Sequence, residues 1–223
     1  RRPPRSTPTP SSAASDVYMR QMLVMDVKDV AQAIHDAFHI ARTGRPGPVL
    51  VDIPRDVLLG EKTEFVWPTK TKLPGYQVPY EAHEAQIAAA AQLINKAERP
   101  LIMAGHGVLI SYAHGLVIEI AEKAQIPVKT TLWGSSSIPA NHELSLGMSG
   151  MHGMAYNNLA IDEADLIIGL GMRFDDRVTG RISDFAPNAK FIHVDIDASE
   201  VDKNIPVSYT HLRAHETSLH LVC

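Results

Sequence analysis

Arg173 and Arg177 stand four residues apart with Asp175 and Asp176 between them, in the run Gly171-Met172-Arg173-Phe174-Asp175-Asp176-Arg177-Val178-Thr179-Gly180. A guanidinium is the side chain best shaped for bidentate recognition of a carboxylate or phosphate, so this segment could hold an anionic ligand. The same four charges could instead close on one another as a surface salt-bridge cluster. Position favours the ligand. The run follows Leu166-Ile167-Ile168-Gly169-Leu170, which reads as a buried strand, and in open α/β sheets ligands sit in the crevice beyond the carboxyl ends of the strands.

Two other strand ends have similar chemistry. Leu101 to Ala104 leads into Gly105-His106-Gly107, and Pro127 to Leu132 brings Thr130 and Thr131 ahead of Gly134. Glycines let backbone amides approach a phosphate or a ring closely, and helix N-termini add partial positive charge. Gly105-x-Gly107 lacks the third glycine of a dinucleotide fingerprint, so alone it also fits a tight strand-to-helix turn. Three such ends in one sheet point to a nucleotide-type ligand. The last strand ends in Asp195-Ile196-Asp197, where an acidic side chain can bond ribose hydroxyls or simply be solvated. Leu146-Gly147-Met148-Ser149-Gly150-Met151-His152-Gly153 sets flexible methionines and glycines ahead of a helix, which suits an adaptable wall against a flat ring.

The elements that must position these residues follow from periodicity. Val27, Val30, Ile34, Phe38 and Ala41 recur at helical spacing behind Asp26 as N-cap, Gly44 can end that helix, and Pro48 to Pro54 reads as a strand. This pair looks like the last unit of an upstream α/β domain, residues 26–58. Residues 59–81 hold Pro68, Pro74, Gly75 and Pro79 without sustained period and read as a linker. Ile87 to Ala97 begins a second domain, 82–206, in which strands at 101–104, 127–132, 165–170 and 191–196 alternate with helices near 113–123 and 155–161. That alternation predicts an α/β fold, a parallel sheet flanked by helices and Rossmann-like. No strand is expected after Pro206, so the domain reads as truncated.

Both ends look foreign to this middle. Residues 1–25 open on RRPPRSTPTPSSAAS, a composition that cannot bury a core. It resembles an organelle transit peptide, or else a disordered or mis-joined segment. Residues 207–223 contain VSYTHLRAHET, which resembles a translated sequencing-library adapter, and are set aside as a tail. His211 and His215 there would share a helix face, but without a third ligand they make a weak metal signal. A net charge of −4 leaves no footprint for nucleic acid. No apolar run reaches the roughly 18 residues of a membrane span. The single cysteine, Cys223, excludes an internal disulfide.

The RFDDRVTG run (Arg173–Gly180), with GRPGPVLVDIPRDV (Gly44–Val57), LGMSGMHG (Leu146–Gly153) and VDIDASEVDKN (Val194–Asn204), resembles the catalytic large subunit of acetolactate synthase across residues 26–205. That family belongs to the thiamine-diphosphate enzymes and joins two 2-ketoacids for branched-chain amino acid synthesis. The resemblance implies a chain holding the end of the pyrimidine-binding domain and most of a central FAD-binding domain. By motif, Arg45 would reach FAD from the first domain. Gly105, His106, Gly107, Thr131 and Leu132 would line it, as would Met151, His152, Gly153, Gly171, Met172, Arg173 and Val178, with Asp195 and Ile196 near the adenosine. Arg177 would bind the carboxylate of the second 2-ketoacid. Thiamine diphosphate and Mg2+ would sit largely outside this chain. The family's catalytic glutamate and metal-binding motif would lie upstream and downstream, so the chain alone is expected to be inactive and to hold no catalytic or metal-ligating residue. The parent would be a dimer or tetramer, with a regulatory small subunit as a further partner, in a bacterial cytoplasm or else a plastid or mitochondrion. Ala198 stands where the family commonly has proline, and Trp133 and Ser135–Ser137 vary the usual loop. Another thiamine-diphosphate carboligase and a non-catalytic nucleotide-binding module are the alternatives.

Overall fold

A computed structural model describes residues 20–60, 62–78 and 82–206, and the backbone of 209–212. The chain divides between Val78 and Pro79 into two units.

In the first unit β1 (Arg20–Leu23) pairs in parallel with β2 (Val49–Asp52), Arg20 opposite Val49 and Leu23 opposite Asp52. This corrects the expectation that residues 1–25 stand apart: 20–25 belong to the fold, because β2 offers an edge and Val24 is buried beside it. Residues 1–19 lie outside the described residues. Asp26 accepts the Lys28 N–H at 2.9 Å and opens a 3-10 turn that runs into α1, Val30–Arg42. The stripe expected to be buried is not the buried one. Ile34 and Phe38 are exposed, and Asp36, Ala37 and Ile40 are buried instead. Asp36 is drawn inward because its Oδ1 accepts Gln32 Nε2 at 2.9 Å and the Lys72 N–H at 3.1 Å. The segment read as linker is therefore pinned to α1 as far as Tyr76, whose hydroxyl meets Thr43 Oγ1 at 2.8 Å. A short helix, α2 (Arg55–Leu59), follows β2.

The second unit opens with α3 (Glu84–Lys96) and is built on a six-stranded sheet. Its strands are β3 (Pro100–Ala104), β4 (Val128–Thr130), β5 (Ser145–Met148), β6 (Leu166–Leu170), β7 (Lys190–Val194) and β8 (Tyr209–Leu212). The helices between them are α4 (His106–Ile110), α5 (His114–Ala124), α6 (Ala155–Glu163) and α7 (Asp176–Thr179). All neighbours are parallel in the order β5-β4-β3-β6-β7-β8. Counted from β3 that is 3-2-1-4-5-6, the doubly wound order, whose direction reverses between β3 and β6.

All five residues of β6 are buried, as a strand covered on both faces requires. Alternation along the strands divides the core. Ile102, Ala104, Val128, Ile168 and Ile192 pack with Ala90 of α3 and Val117 and Ala121 of α5. Leu101, Met103, Ile167 and Phe191 pack on the other face with Ile161 of α6, Phe174 and Phe185. β8 stands where no strand was expected after Pro206: residues set aside as tail place Tyr209 opposite Ile192 and Leu212 opposite Val194. An unpaired β7 edge would have left a row of open backbone groups. Residues 213–223 lie outside the described residues.

Candidate functional site

The strand order reverses between the carboxyl ends of β3 and β6, the place where open α/β sheets bind their ligands. Gly171 has φ +54°, and a Cβ on it would come within 2.7 Å of Gly107 Cα. A Cβ on Gly105 would meet the Gly171 carbonyl oxygen at 2.3 Å, and one on Gly134 the Ala104 carbonyl oxygen at 2.4 Å. These glycines allow three strand ends to touch backbone to backbone. Their amides are committed internally. Gly105 donates to Leu170 O at 2.8 Å, Gly107 to Gly171 O at 2.9 Å, and Gly171 to Val194 O at 2.7 Å. The expectation that these amides face a ligand is thereby corrected; what the crevice presents is side chains. His106 is exposed at the start of α4 and meets Trp133 edge-on at 5.8 Å. Thr131 caps the 3-10 turn Leu132–Gly134, on which Leu132 is 68% and Trp133 74% exposed.

The glycine-methionine run forms the next wall. β5 supplies its Ser145–Met148 part, an element the sequence reading had left as loop. Ser149 then bonds Thr130 O through both its N–H (2.9 Å) and its hydroxyl (3.0 Å). Gly150 has φ +95°, and a Cβ there would stand 2.6 Å from the Arg177 carbonyl oxygen. Only glycine lets this turn seat against α7, and so the two motifs singled out in sequence meet. Met151 and His152 remain exposed at the apex.

In the arginine-aspartate run, alternate residues turn inward. Met172 and Phe174 are buried in the core, Phe174 edge-on to Phe191 at 5.7 Å and to His193 at 5.0 Å. The Met172 side chain is thus directed into the core, as alternation past the strand end explains. Arg173 pairs with Asp175 at 3.3 Å, and Arg177 reaches Asp176 only at 3.9 Å with both ends exposed. An exposed pair at that distance contributes little and leaves the Arg177 guanidinium able to exchange partner. Arg177, Val178, Met151, Asn158 and Asp162 line a cleft of about 470 Å3 between α6 and α7.

At the end of β7, Asp195 Oδ1 accepts the Asp197 N–H at 2.9 Å, and Oδ2 lies 3.9 Å from His193 Nε2. His193 itself is buried, its Nε2 2.7 Å from the Met172 carbonyl oxygen. Ile196 is half-buried beyond it. Arg45 belongs to the first unit, where it follows Gly44 (φ +62°) in the turn after α1. Among the described residues no group of three or more His, Cys, Asp or Glu is placed to hold a metal ion, and no helix is long and apolar enough to cross a membrane.

Residues 87–220, more than half of the chain, match the family model of the thiamine pyrophosphate enzyme central domain. The chain belongs to that family. The matched span runs past residue 207, so the stretch set aside as tail lies largely within the thiamine pyrophosphate enzyme domain. The chain is 48% identical over 187 residues to the acetolactate synthase large subunit of Corynebacterium glutamicum, covering 84% of this chain and 30% of that one. It is 48% identical to the probable acetolactate synthase large subunit of Methanocaldococcus jannaschii, over 80% of this chain and 30% of that one. With the large subunit of Porphyra purpurea it shares 46% identity, over 82% and 31%. The chain thus spans about a third of the length of these relatives.

Two residues of this thiamine pyrophosphate enzyme domain escaped the sequence reading. Lys129 lies fully buried in β4, its Nζ donating to the Asn157 carbonyl at 2.6 Å. Burial pushes its pKa down from 10.5 to about 8, partly opposed by the Asp162 carboxylate. Asn157, also fully buried, donates from Nδ2 to Met148 O at 3.0 Å. A lone lysine inside an apolar strand was the available signal.

Proposed function

We propose that the chain is the flavin-holding middle of an acetolactate synthase large subunit. FAD would occupy the crevice beyond β3, β4 and β6, with the Met151–Gly153 turn beside the ring system and Asp195 and Ile196 towards the adenosine. The residues suit such a group. Leu132, Trp133 and Met151 expose large apolar surface at the carboxyl ends of parallel strands, and a patch of that kind marks a binding site. A flat ring would be held by these side chains and by His106 rather than by the glycine amides.

The observation that carries the reading is the seating of Gly150 on the Arg177 carbonyl, which joins the cofactor wall to the anion-binding arginine. Arg177 would take the carboxylate of the second 2-ketoacid by a two-point hydrogen bond, exchanging its loose contact with Asp176. Arg173, tied to Asp175, would stay on the flavin side. In the parent enzyme thiamine diphosphate, with Mg2+, supplies the electron sink for joining pyruvate to pyruvate or to 2-ketobutyrate in branched-chain amino acid synthesis, while FAD undergoes no net redox change. The described residues offer no ligand set for Mg2+, so none is assigned to it. The chain alone is read as inactive, and the parent as a dimer or tetramer that accepts a regulatory subunit.

The test is a titration of the chain with FAD, followed by flavin fluorescence. The reading expects saturable binding with one FAD per chain, weakened when Trp133 is replaced by alanine. Folded protein that leaves flavin fluorescence unchanged at saturating FAD would overturn the chain as a flavin holder.

A further inference from the structure

Lys129 has no place in the proposed chemistry, yet its surroundings are specific. It points into the face of the sheet that carries Met103 and Gly169, one on each of the next two strands in its row. On the other side Gly147 stands opposite it in β5, and without a side chain there the lysine stem has room to reach α6. A methionine would fill the same space without burying a charge. The ammonium instead bonds Asn157 O, and Asn157 in turn bonds Met148 O. Asn157 Oδ1 is buried without a hydrogen-bond partner among the described residues, and an ammonium retains two further protons to offer it. The two residues therefore clamp both ends of one loop, Met148 where it leaves β5 and Asn157 where α6 begins. That loop carries Gly150 onto the Arg177 carbonyl.

We infer that Lys129 is a positioning residue: through Asn157 its Nζ donor latches the Ser149–Met154 loop in the place where it meets α7. The inference rests on the reading of this loop as a cofactor wall, but the latch itself needs no cofactor. Opening the loop would return the ammonium to water, where its proton is held more tightly, so the closed loop gains stability as the proton leaves. The lowered pKa of about 8 places that gain above about pH 8. The groups that face it are few. Asp162 of α6 is the carboxylate that acts on it, Glu163 follows at the exposed end of that helix, and the loop contributes only the exposed His152. The neighbouring residues of β3, β5 and β6 are not titratable.

The test is hydrogen exchange of the full chain, read by mass spectrometry at about pH 6.5 and about pH 9 with intrinsic rates corrected, on either side of the Lys129 titration. In the unsubstituted chain protection of residues 148–158 should rise about tenfold between the two, as linkage requires of a group whose pKa is lowered in the closed loop. Lys129→Met should show no step, and less protection than the unsubstituted chain at about pH 9. A pH-independent loop in the unsubstituted chain, or a Met variant as protected as the parent at about pH 9, would overturn the latch. Should the variant not fold, the pH series of the unsubstituted chain decides alone. Repeating the series with FAD separates the two proposals: absence of flavin binding defeats the flavin reading and leaves the latch standing.

Discussion

Replacing Lys129 by methionine should change how stability depends on pH. In the folded chain Lys129 titrates at about 8 against an ordinary 10.5, because burial disfavours its charge. Between those values the unfolded chain binds a proton that the folded chain has released, so stability rises with pH through this window. Below about 8 both states are protonated and the fold carries the full desolvation cost. From about pH 7 to about pH 10 the gain due to this one group amounts to roughly 2 to 3 kcal/mol. Methionine has no such titration, and its length fills the lysine's space. Urea denaturation of both proteins, followed by circular dichroism at these two pH values, gives the comparison. Other titrating groups contribute alike to each and cancel in the difference. The unsubstituted chain should therefore gain about 2 to 3 kcal/mol relative to Lys129→Met as pH rises. Parallel stability curves would refute the reasoning, since a lysine that keeps an ordinary pKa cannot be desolvated as the structure places it.

Three further outcomes follow from the site. Gly171→Ala combines a positive φ with a Cβ 2.7 Å from Gly107 Cα, so it should cost at least about 1–2 kcal/mol and lower the melting temperature together with FAD affinity. His193→Leu leaves the Met172 carbonyl without its buried donor; a loss of about 1–3 kcal/mol is expected in chemical denaturation. Arg177→Ala in the full-length parent should raise KM for the second 2-ketoacid while FAD affinity, read by fluorescence, stays near its starting value. Collapse of flavin binding with an unchanged acceptor preference would remove the role given to Arg177.

The sheet was legible where strands are buried on both faces. Leu101–Ala104 and Leu166–Leu170 are apolar runs, as is Phe191–Val194 but for His193, and their parallel sense follows from alternation with helices. β5 was not legible, because Ser145-Leu146-Gly147-Met148 is short, holds a glycine and lies at the edge of the sheet. Nor was the buried side of α1, since its Ala37–Ile40 face is no more apolar in sequence than its Ile34–Phe38 face. Hydrogen bonds from the 70–72 segment to Gln32 and Asp36 select between them. The glycines were rightly marked as sites of close approach, but what approaches Gly105 is Gly171, far away in the chain. A sequence cannot reveal that their amides are already satisfied. Gly150 and Arg177 were likewise each noticed alone, and only the fold shows that one is the seat of the other.

The crevice between β3 and β6 as the flavin site is the central claim, and hydrogen exchange of the chain with and without FAD tests it most directly. Added FAD should slow exchange in residues 104–108, 131–134, 149–154 and 171–178, with a smaller effect at 195–197, and leave α3 unchanged. Folded protein in which FAD protects none of these segments, or protects only a first-unit groove lined by Ile34, Phe65 and Trp67, would contradict it.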